Sequence, residues 1–217
     1  MTTTRPFCCD DLFRMATTNL DPLTETYNLG FYLLYTSRWP GMCSMQEAAH
    51  GRICSYMIGK AEGRAREWHG HVSALTVAPE FRRLGLAKTL MAELERVSDK
   101  SCVRACGRAG AAARTPAAAQ WASIGRAPLL KPPSHPTTHP LRSYNGYFVD
   151  LYVRTGNTVA VRMYTALGYT VFRRVLGYYG GEPAEDAMDM RKPLPRDPTG
   201  ATCVPLKAPT RTTAIPA

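Results

Sequence analysis

The sequence predicts an α/β (α+β) fold, a mixed sheet flanked by helices, on three observations. His71 to Ala78 alternates in period two and stops at Pro79, as a strand does. Just beyond it, Leu86, Leu90, Leu94 and Val97 recur at helical spacing with Met91 beside them. The same order then repeats: Phe148 to Val153 is an apolar strand run, and Ala160, Val161, Tyr164 and Leu167 share one helical face after it.

In chain order the body reads β-α-α-β-β-β-α-β-α-β-β. Thr2 to Arg5 starts a strand. Cys9-Asp10-Asp11 opens a first helix that holds Leu12, Phe13 and Met15, and Thr24 to Trp39 holds a second. Met42 to Ala48 and Ile53 to Glu62 form a hairpin around Gly51-Arg52, with Cys43, Ser44 and Cys54 in its strand positions. Asn157 is a good N-cap and Gly168 a good stop for the last helix. Tyr169 to Val175 and Ala187 to Lys192 are the final strands.

At 217 residues with 45% hydrophobic content, the chain can bury one core. It contains no run of 18 apolar residues, so a transmembrane helix and a membrane partner are not expected. Arg5, Asp10, Asp11 and Arg14 crowd the start where a secretory signal would need an apolar core. Seven cysteines, an odd number, read as reduced thiols, and the expected compartment is the cytoplasm.

The net charge of +10 resembles a nucleic-acid signature until it is divided by segment. Residues 101–144 carry +6 without one acid, the tail from Pro193 carries +2, and only +2 remains for the body. Twelve of the 17 prolines lie in the same two segments. Residues 101–144 therefore read as a disordered, low-complexity insertion in a single domain spanning 1–192, and 193–217 as a disordered tail. The insertion is either a surface elaboration or a translated intron. Its Cys102, Cys106, His135 and His139 imitate a zinc site, but 28 intervening residues are too many, so no metal is expected.

The turn Arg82-Arg83-Leu84-Gly85-Leu86-Ala87 joins the first strand–helix pair. Gly85 and Ala87 lack bulk, so backbone amides at the helix start can approach an anion such as a pyrophosphate. Arg82 and Arg83 add charge-assisted contacts.

With this turn and the later helix taken together, the chain resembles the GNAT acetyltransferases. R-x-x-G-x-A matches their pyrophosphate turn, and N-x-x-A-x-x-x-Y-x-x-L-G-Y, from Asn157 to Tyr169, matches the helix beside the pantetheine arm and thioester. Within that family it is similar to the catalytic subunits of NatB-type complexes. Met1 to Tyr35, Gly59 to Glu62, Trp68 to Val72, Val77 to Ala87 and Met188 to Lys192 carry this likeness. It implies a mostly antiparallel twisted sheet with acetyl-CoA as co-substrate. The implied substrates are nascent N-termini beginning Met-Asp, Met-Glu, Met-Asn or Met-Gln. It also implies a large helical-repeat auxiliary subunit that docks at the ribosome, met by Leu12, Phe13, Met15, Leu29, Phe31, Tyr32 and Tyr35. No direct nucleic-acid contact is implied.

The resemblance also assigns residues. Val77, Arg82, Arg83, Leu84, Gly85, Leu86, Ala87, Asn157 and Tyr164 would hold the cofactor. Val77 would offer its N–H to the thioester oxygen through a local splay of the strand, and Tyr164 would protonate the leaving thiolate. An α-amine with a pKa of about 7.7–8 needs only weak help to lose its proton. His71 lies in period two with Ser73, Leu75 and Val77, and His71 and Ser73 would contact the residue after the substrate's methionine. His71 would donate to an acidic or amide side chain there, or relay a proton. Glu25 and Tyr27, between the first two helices, would form one wall of a peptide groove. Tyr178 and Tyr179, in the loop between the last two strands, would form the other. Two alternatives stand beside this reading: a GNAT acting on lysine side chains or small amines, and an inactive basic RNA- or ribosome-binding protein.

Overall fold

The computed structural model describes residues 2–20, 24–99, 144–180 and 182–211. Its strands are β1 (Thr3–Pro6), β2 (Cys43–Glu47), β3 (Ile53–Glu62), β4 (His69–Val77), β5 (Phe148–Arg154), β6 (Thr170–Tyr179), β7 (Glu185–Pro193) and β8 (Thr210–Arg211). Its helices are α1 (Leu29–Arg38), α2 (Leu86–Ser98) and α3 (Thr158–Ala166). The strands form one sheet in the order β1-β2-β3-β4-β5-β7-β6-β8. Neighbours are antiparallel except β4–β5 and β6–β8, so the sheet is mixed and mostly antiparallel, as expected.

Each face of the sheet buries its own cluster. On one, Leu90, Met91 and Leu94 of α2 and Tyr164 of α3 pack on Met57, Val72, Leu151 and Met190. On the other, Phe7, Met15 and Tyr32 pack on Met45, Tyr56 and Ile58. Each such aliphatic side chain contributes about 1.5–3 kcal/mol relative to exposure. Cys43 and Cys54 are buried in the β2–β3 hairpin, and the five described cysteines are free thiols. Burial pushes the Cys43 thiol up to about 12. Among the described residues, no helix is long and apolar enough to cross a membrane.

Four expectations need correction. The first helix is absent, and two 3-10 turns, Cys9–Phe13 and Ala16–Asn19, stand in its place. Buried Asp11 accepts the Cys8 N–H at 2.8 Å and pairs with Arg5 at 2.6 Å, which pins the segment to the sheet as a tight turn. The second helix starts at Leu29, because the Asn28 side chain caps it by accepting the Phe31 N–H at 2.9 Å. β6 runs on to Tyr179, so Tyr178 and Tyr179 end a strand and do not sit in a loop. The tail is ordered as far as Arg211: Asp197 gathers the N–H groups of Ala201 and Thr202, and β8 extends the sheet beside β6. Of the segment 101–144 only Tyr144 is described, and its carbonyl takes the Trp68 indole N–H at 2.6 Å. The rest, including Cys102, Cys106, His135 and His139, lies outside the described residues.

Candidate active site

β4 and β5 pair only from Gly70 to Val72, opposite Val149 to Leu151. Beyond that, β4 runs on to Val77 and β5 to Arg154 without pairing. The cause lies on the β3 side. Ile58 faces Ala74 while Gly59 faces Val72, so Ser73 is an extra residue in β4. A bulge of this kind bends and twists its strand, which turns β4 away from its neighbour.

The bulge also corrects the period-two reading. Ser73 Oγ donates to Tyr35 Oη of α1 at 3.2 Å, and His71 faces Asp150 on the same side. Leu75 instead packs with the α2 and α3 cluster, and Val77 shares its face. His71 and Ser73 therefore stand together, but not with Leu75 and Val77.

Past the bulge the main chain turns polar groups to the open side. Ala78 donates its N–H to Cys54 on β3 at 2.9 Å. Amides alternate in direction along such a ladder, so Val77 turns its N–H to the open side. Its carbonyl, on that same side, takes Arg82 Nε at 3.3 Å. The backbone then turns once and enters α2 through Gly85, at φ +79°, where an added Cβ would meet nothing within 4 Å. Glycine is required there by conformation, and the space above it is open to a ligand. Leu84 points outward and Leu86 is buried as the anchor of the turn. The first amides of α2 supply the partial positive charge that an anion needs, so these residues fit a pyrophosphate.

A cleft of about 260 Å³ lies along the splay. It brings together all six candidate substrate residues, Glu25, Tyr27, His71, Ser73, Tyr178 and Tyr179, with Asn157 and Tyr164. Val77 and the turn from Arg82 to Ala87 lie outside it, toward the end of β4. Tyr27 Oη donates to the Ser73 carbonyl at 3.0 Å, and burial pushes this hydroxyl up to about 12. Tyr179 Oη donates to the Tyr152 carbonyl at 3.2 Å, and Tyr178 stacks on the Tyr152 ring at 4.7 Å. Glu25 pairs with Arg154 at 2.6 Å, and Arg154 lies over the Tyr179 ring. The two walls are thus tied together through β5. Asn157 caps α3 by accepting the Ala160 N–H at 3.1 Å. Tyr164 is buried against the Tyr169 ring, and burial alone raises its hydroxyl far above neutral pH, so it stays a proton donor.

Behind His71, which lines the cleft, lies a buried charged cluster. Asp150 Oδ1 lies 2.8 Å from His71 Nδ1 and 3.3 Å from His69 Nε2. Burial would push this carboxyl up, but the two imidazoles, His71 foremost, overcome it and hold Asp150 far below the usual range. Burial would likewise lower His69, yet Asp150 raises it on balance. Glu62, His69 and His71 bring potential metal-ligand atoms within 4.8 Å of one another. The Asp150 oxygen already engages both ring nitrogens, so the cluster reads as an ion-pair network.

A strand splayed by a bulge, an open amide cradle at a helix start and a buried tyrosine beside the opening form one arrangement. The GNAT acetyltransferase family model matches residues 11–120, slightly more than half of the chain. The chain belongs to the GNAT acetyltransferase family. N-alpha-acetyltransferase 20 of Dictyostelium discoideum is 47% identical over 209 residues, 96% of this chain and 95% of that protein. The N-terminal acetyltransferase B complex catalytic subunit NAA20 of Arabidopsis thaliana is 43% identical over the same shares. The crystal structure of Chaetomium thermophilum Naa20 in complex with a bisubstrate analogue superposes with a TM-score of 0.71 at 33% identity. It covers 96% of this chain and 95% of that one. This GNAT protein is an N-terminal α-acetyltransferase of the NatB catalytic-subunit type.

Sequence reasoning about this GNAT site missed Asp150, Tyr152 and Arg154, which line one face of β5, and Lys60 and His69. The first three alternate in Phe148 to Arg154, and that period-two polar stripe inside an apolar run was the available signal.

Proposed function

We propose that the enzyme transfers acetyl from acetyl-CoA to the α-amine of nascent proteins beginning Met-Asp, Met-Glu, Met-Asn or Met-Gln. It does so in the cytoplasm, as the catalytic subunit of a NatB-type complex. The observation that carries this reading is the cleft itself, where Glu25, Tyr27, His71, Ser73, Tyr178 and Tyr179 meet Tyr164 and Asn157 beside the splay. Bound acetyl-CoA supplies a thioester carbonyl for the amine to attack, and its C–S bond breaks with the electron pair on sulfur. The α2 amides from Gly85 to Ala87, with Arg82 and Arg83, hold its pyrophosphate, and Asn157 flanks its arm. The Val77 N–H donates to the carbonyl oxygen as negative charge develops there. Tyr164 gives its hydroxyl proton to the departing sulfur, and the proton released by the nitrogen as the amide forms passes through water of the cleft to restore the phenol.

On the peptide side, Glu25 and the tyrosines hold the N-terminal residues, and His71 and Ser73 meet the second side chain. Lys60 and Arg154 also line this space, which suits an acidic residue. The auxiliary helical-repeat subunit, through which the ribosome is reached, would cover the apolar rim around α1. Phe13 is 87% exposed and Leu20 79%, with Leu29 and Leu34 more than half exposed beside them. Met15 and Tyr32, expected at that interface, are buried in the core.

The test is a peptide panel varied at the first two positions, assayed with acetyl-CoA. Turnover confined to Met-Asp, Met-Glu, Met-Asn and Met-Gln N-termini is expected. Acetylation of internal lysines or small amines at equal efficiency would overturn the substrate reading, and failure to bind acetyl-CoA would overturn the enzymatic one.

A further inference from the structure

Among the described residues that line the cleft, the acid is Glu25 and the lysine and arginine are Lys60 and Arg154. Arg154 meets Glu25 at 2.6 Å and Glu185 at 3.0 Å, so two carboxylates already answer its charge. Lys60 is placed differently. It stands on β3 directly across from His71 of β4, and Glu62, two residues on, stands across from His69. Register partners share a face of the sheet, so Lys60 projects on the same side as His71, and both line the cleft.

The counter-ion of Lys60 is Glu62, at 2.5 Å, and Glu62 is not among the residues that line the cleft. An ammonium carries three N–H donors, and this contact takes one. Among the described residues the other two meet no acceptor. The side chain is 23% exposed, so its charge is held at the cleft rather than dispersed in solvent. The remaining acid nearby, Asp150, is buried behind His71 and engaged by both imidazoles. The cleft therefore offers a carboxylate one cation with donors to spare.

We propose that Lys60 is the residue that distinguishes an acidic from an amide side chain at the second position of the substrate, its ammonium donating to the carboxylate beside His71. The inference rests on the substrate reading above. Glutamate and glutamine nearly match in shape, and both can accept from an ammonium. Only the acid adds a charge, so the ratio between the two isolates what Lys60 contributes. Tyr35, Tyr152 and Tyr178 line the same space, and their rings replace part of the water that would screen the pair. Glu62 is the internal competitor: it holds the ammonium in the free enzyme and shares it with the incoming carboxylate.

The experiment measures kcat/KM for Met-Glu and Met-Gln peptides with acetyl-CoA at one pH near neutrality, on the full chain, Lys60→Met and Glu62→Gln. Lys60→Met keeps the apolar stem and removes the charge. Its ratio of Met-Glu to Met-Gln falls roughly tenfold, the weight of one charge-assisted hydrogen bond at a partly exposed site. Glu62→Gln releases the ammonium from its competitor, and the ratio rises about two- to fivefold. Both variants break the same ion pair, so a role confined to structure would move the two ratios alike or not at all. An unmoved ratio in Lys60→Met, or displacement of both variants in the same direction, overturns the proposal. Should Lys60→Met fail to fold, Glu62→Gln decides: a higher ratio supports the proposal, and an unmoved or lower one overturns it. Turnover of neither peptide by the wild type overturns the substrate reading and this inference with it. Turnover of both, with a ratio that neither variant moves, overturns this inference alone.

Discussion

At the C-terminal end of β4 the chemistry proposed above belongs to the main chain. Val77 offers an amide and Gly85 a backbone conformation, and α2 adds a helix start, all within eleven consecutive residues. At its N-terminal end the chemistry belongs to side chains. His71 and Ser73 stand with Asp150 from β5, Tyr35 from α1, Tyr27 from the segment before it and Tyr178 from β6. A site made of backbone is contiguous, because neighbouring amides are already aligned by the turn that presents them. A site made of side chains is assembled by topology, and here one extra residue at Ser73 decides which of them meet.

Tyr164 stands where the two ends converge, so its change should be the most damaging. Tyr164→Phe is expected to lower kcat by roughly 10–10³-fold while acetyl-CoA affinity holds, because only the proton donor is lost. Steady-state kinetics with calorimetry checks both halves, and near-normal turnover would return Tyr164 to a packing role.

Gly85→Val should break the backbone end alone. A β-branched residue at φ +79° is strained by about 1–3 kcal/mol, and its side chain enters the space left for the anion. If that strain is relieved only by distorting the cradle, acetyl-CoA binding weakens roughly 5–150-fold. Unchanged affinity by titration calorimetry would mean the pyrophosphate binds elsewhere.

A smaller effect sharpens the side-chain end. Tyr27→Phe removes the hydroxyl that holds the Ser73 carbonyl, a neutral hydrogen bond of about 0.5–1.5 kcal/mol. Peptide KM should rise about two- to twelvefold with little change in kcat. The smallest effect is expected from deleting residues 101–143 while keeping Tyr144, whose carbonyl bonds Trp68. Acetyl transfer should stay within about twofold, since closing a loop of any length costs little. Abolished activity in a folded deletion protein would give that segment a function.

The same contrast explains what could be read from sequence. The strand–turn–helix at Arg82 to Ala87 and the cap at Asn157 were legible because each is a local motif whose partners lie a few residues away. The first helix was misread because Asp11 engages Arg5 and the Cys8 N–H, contacts that favour a turn over a continuing helix. The tail was misread because proline content hid the capping by Asp197. Strand alternation alone put His71 beside Val77, since a bulge leaves no mark in one strand; it shows only in the register with β3. Asp150 escaped because its importance depends on the pairing of β5 with β4, which lie more than seventy residues apart in sequence.

The division between the two ends is tested most directly by comparing His71→Ala with Gly85→Val in one quantity, the ratio of kcat/KM for Met-Asp over Met-Leu peptides. In His71→Ala the ratio should collapse by roughly tenfold or more, because an acidic side chain loses its donor and a leucine loses nothing polar. In Gly85→Val the ratio should stay at the wild-type value even as acetyl-CoA binding weakens. Equal losses on both peptides in His71→Ala, or a ratio that falls in Gly85→Val as well, would contradict the account.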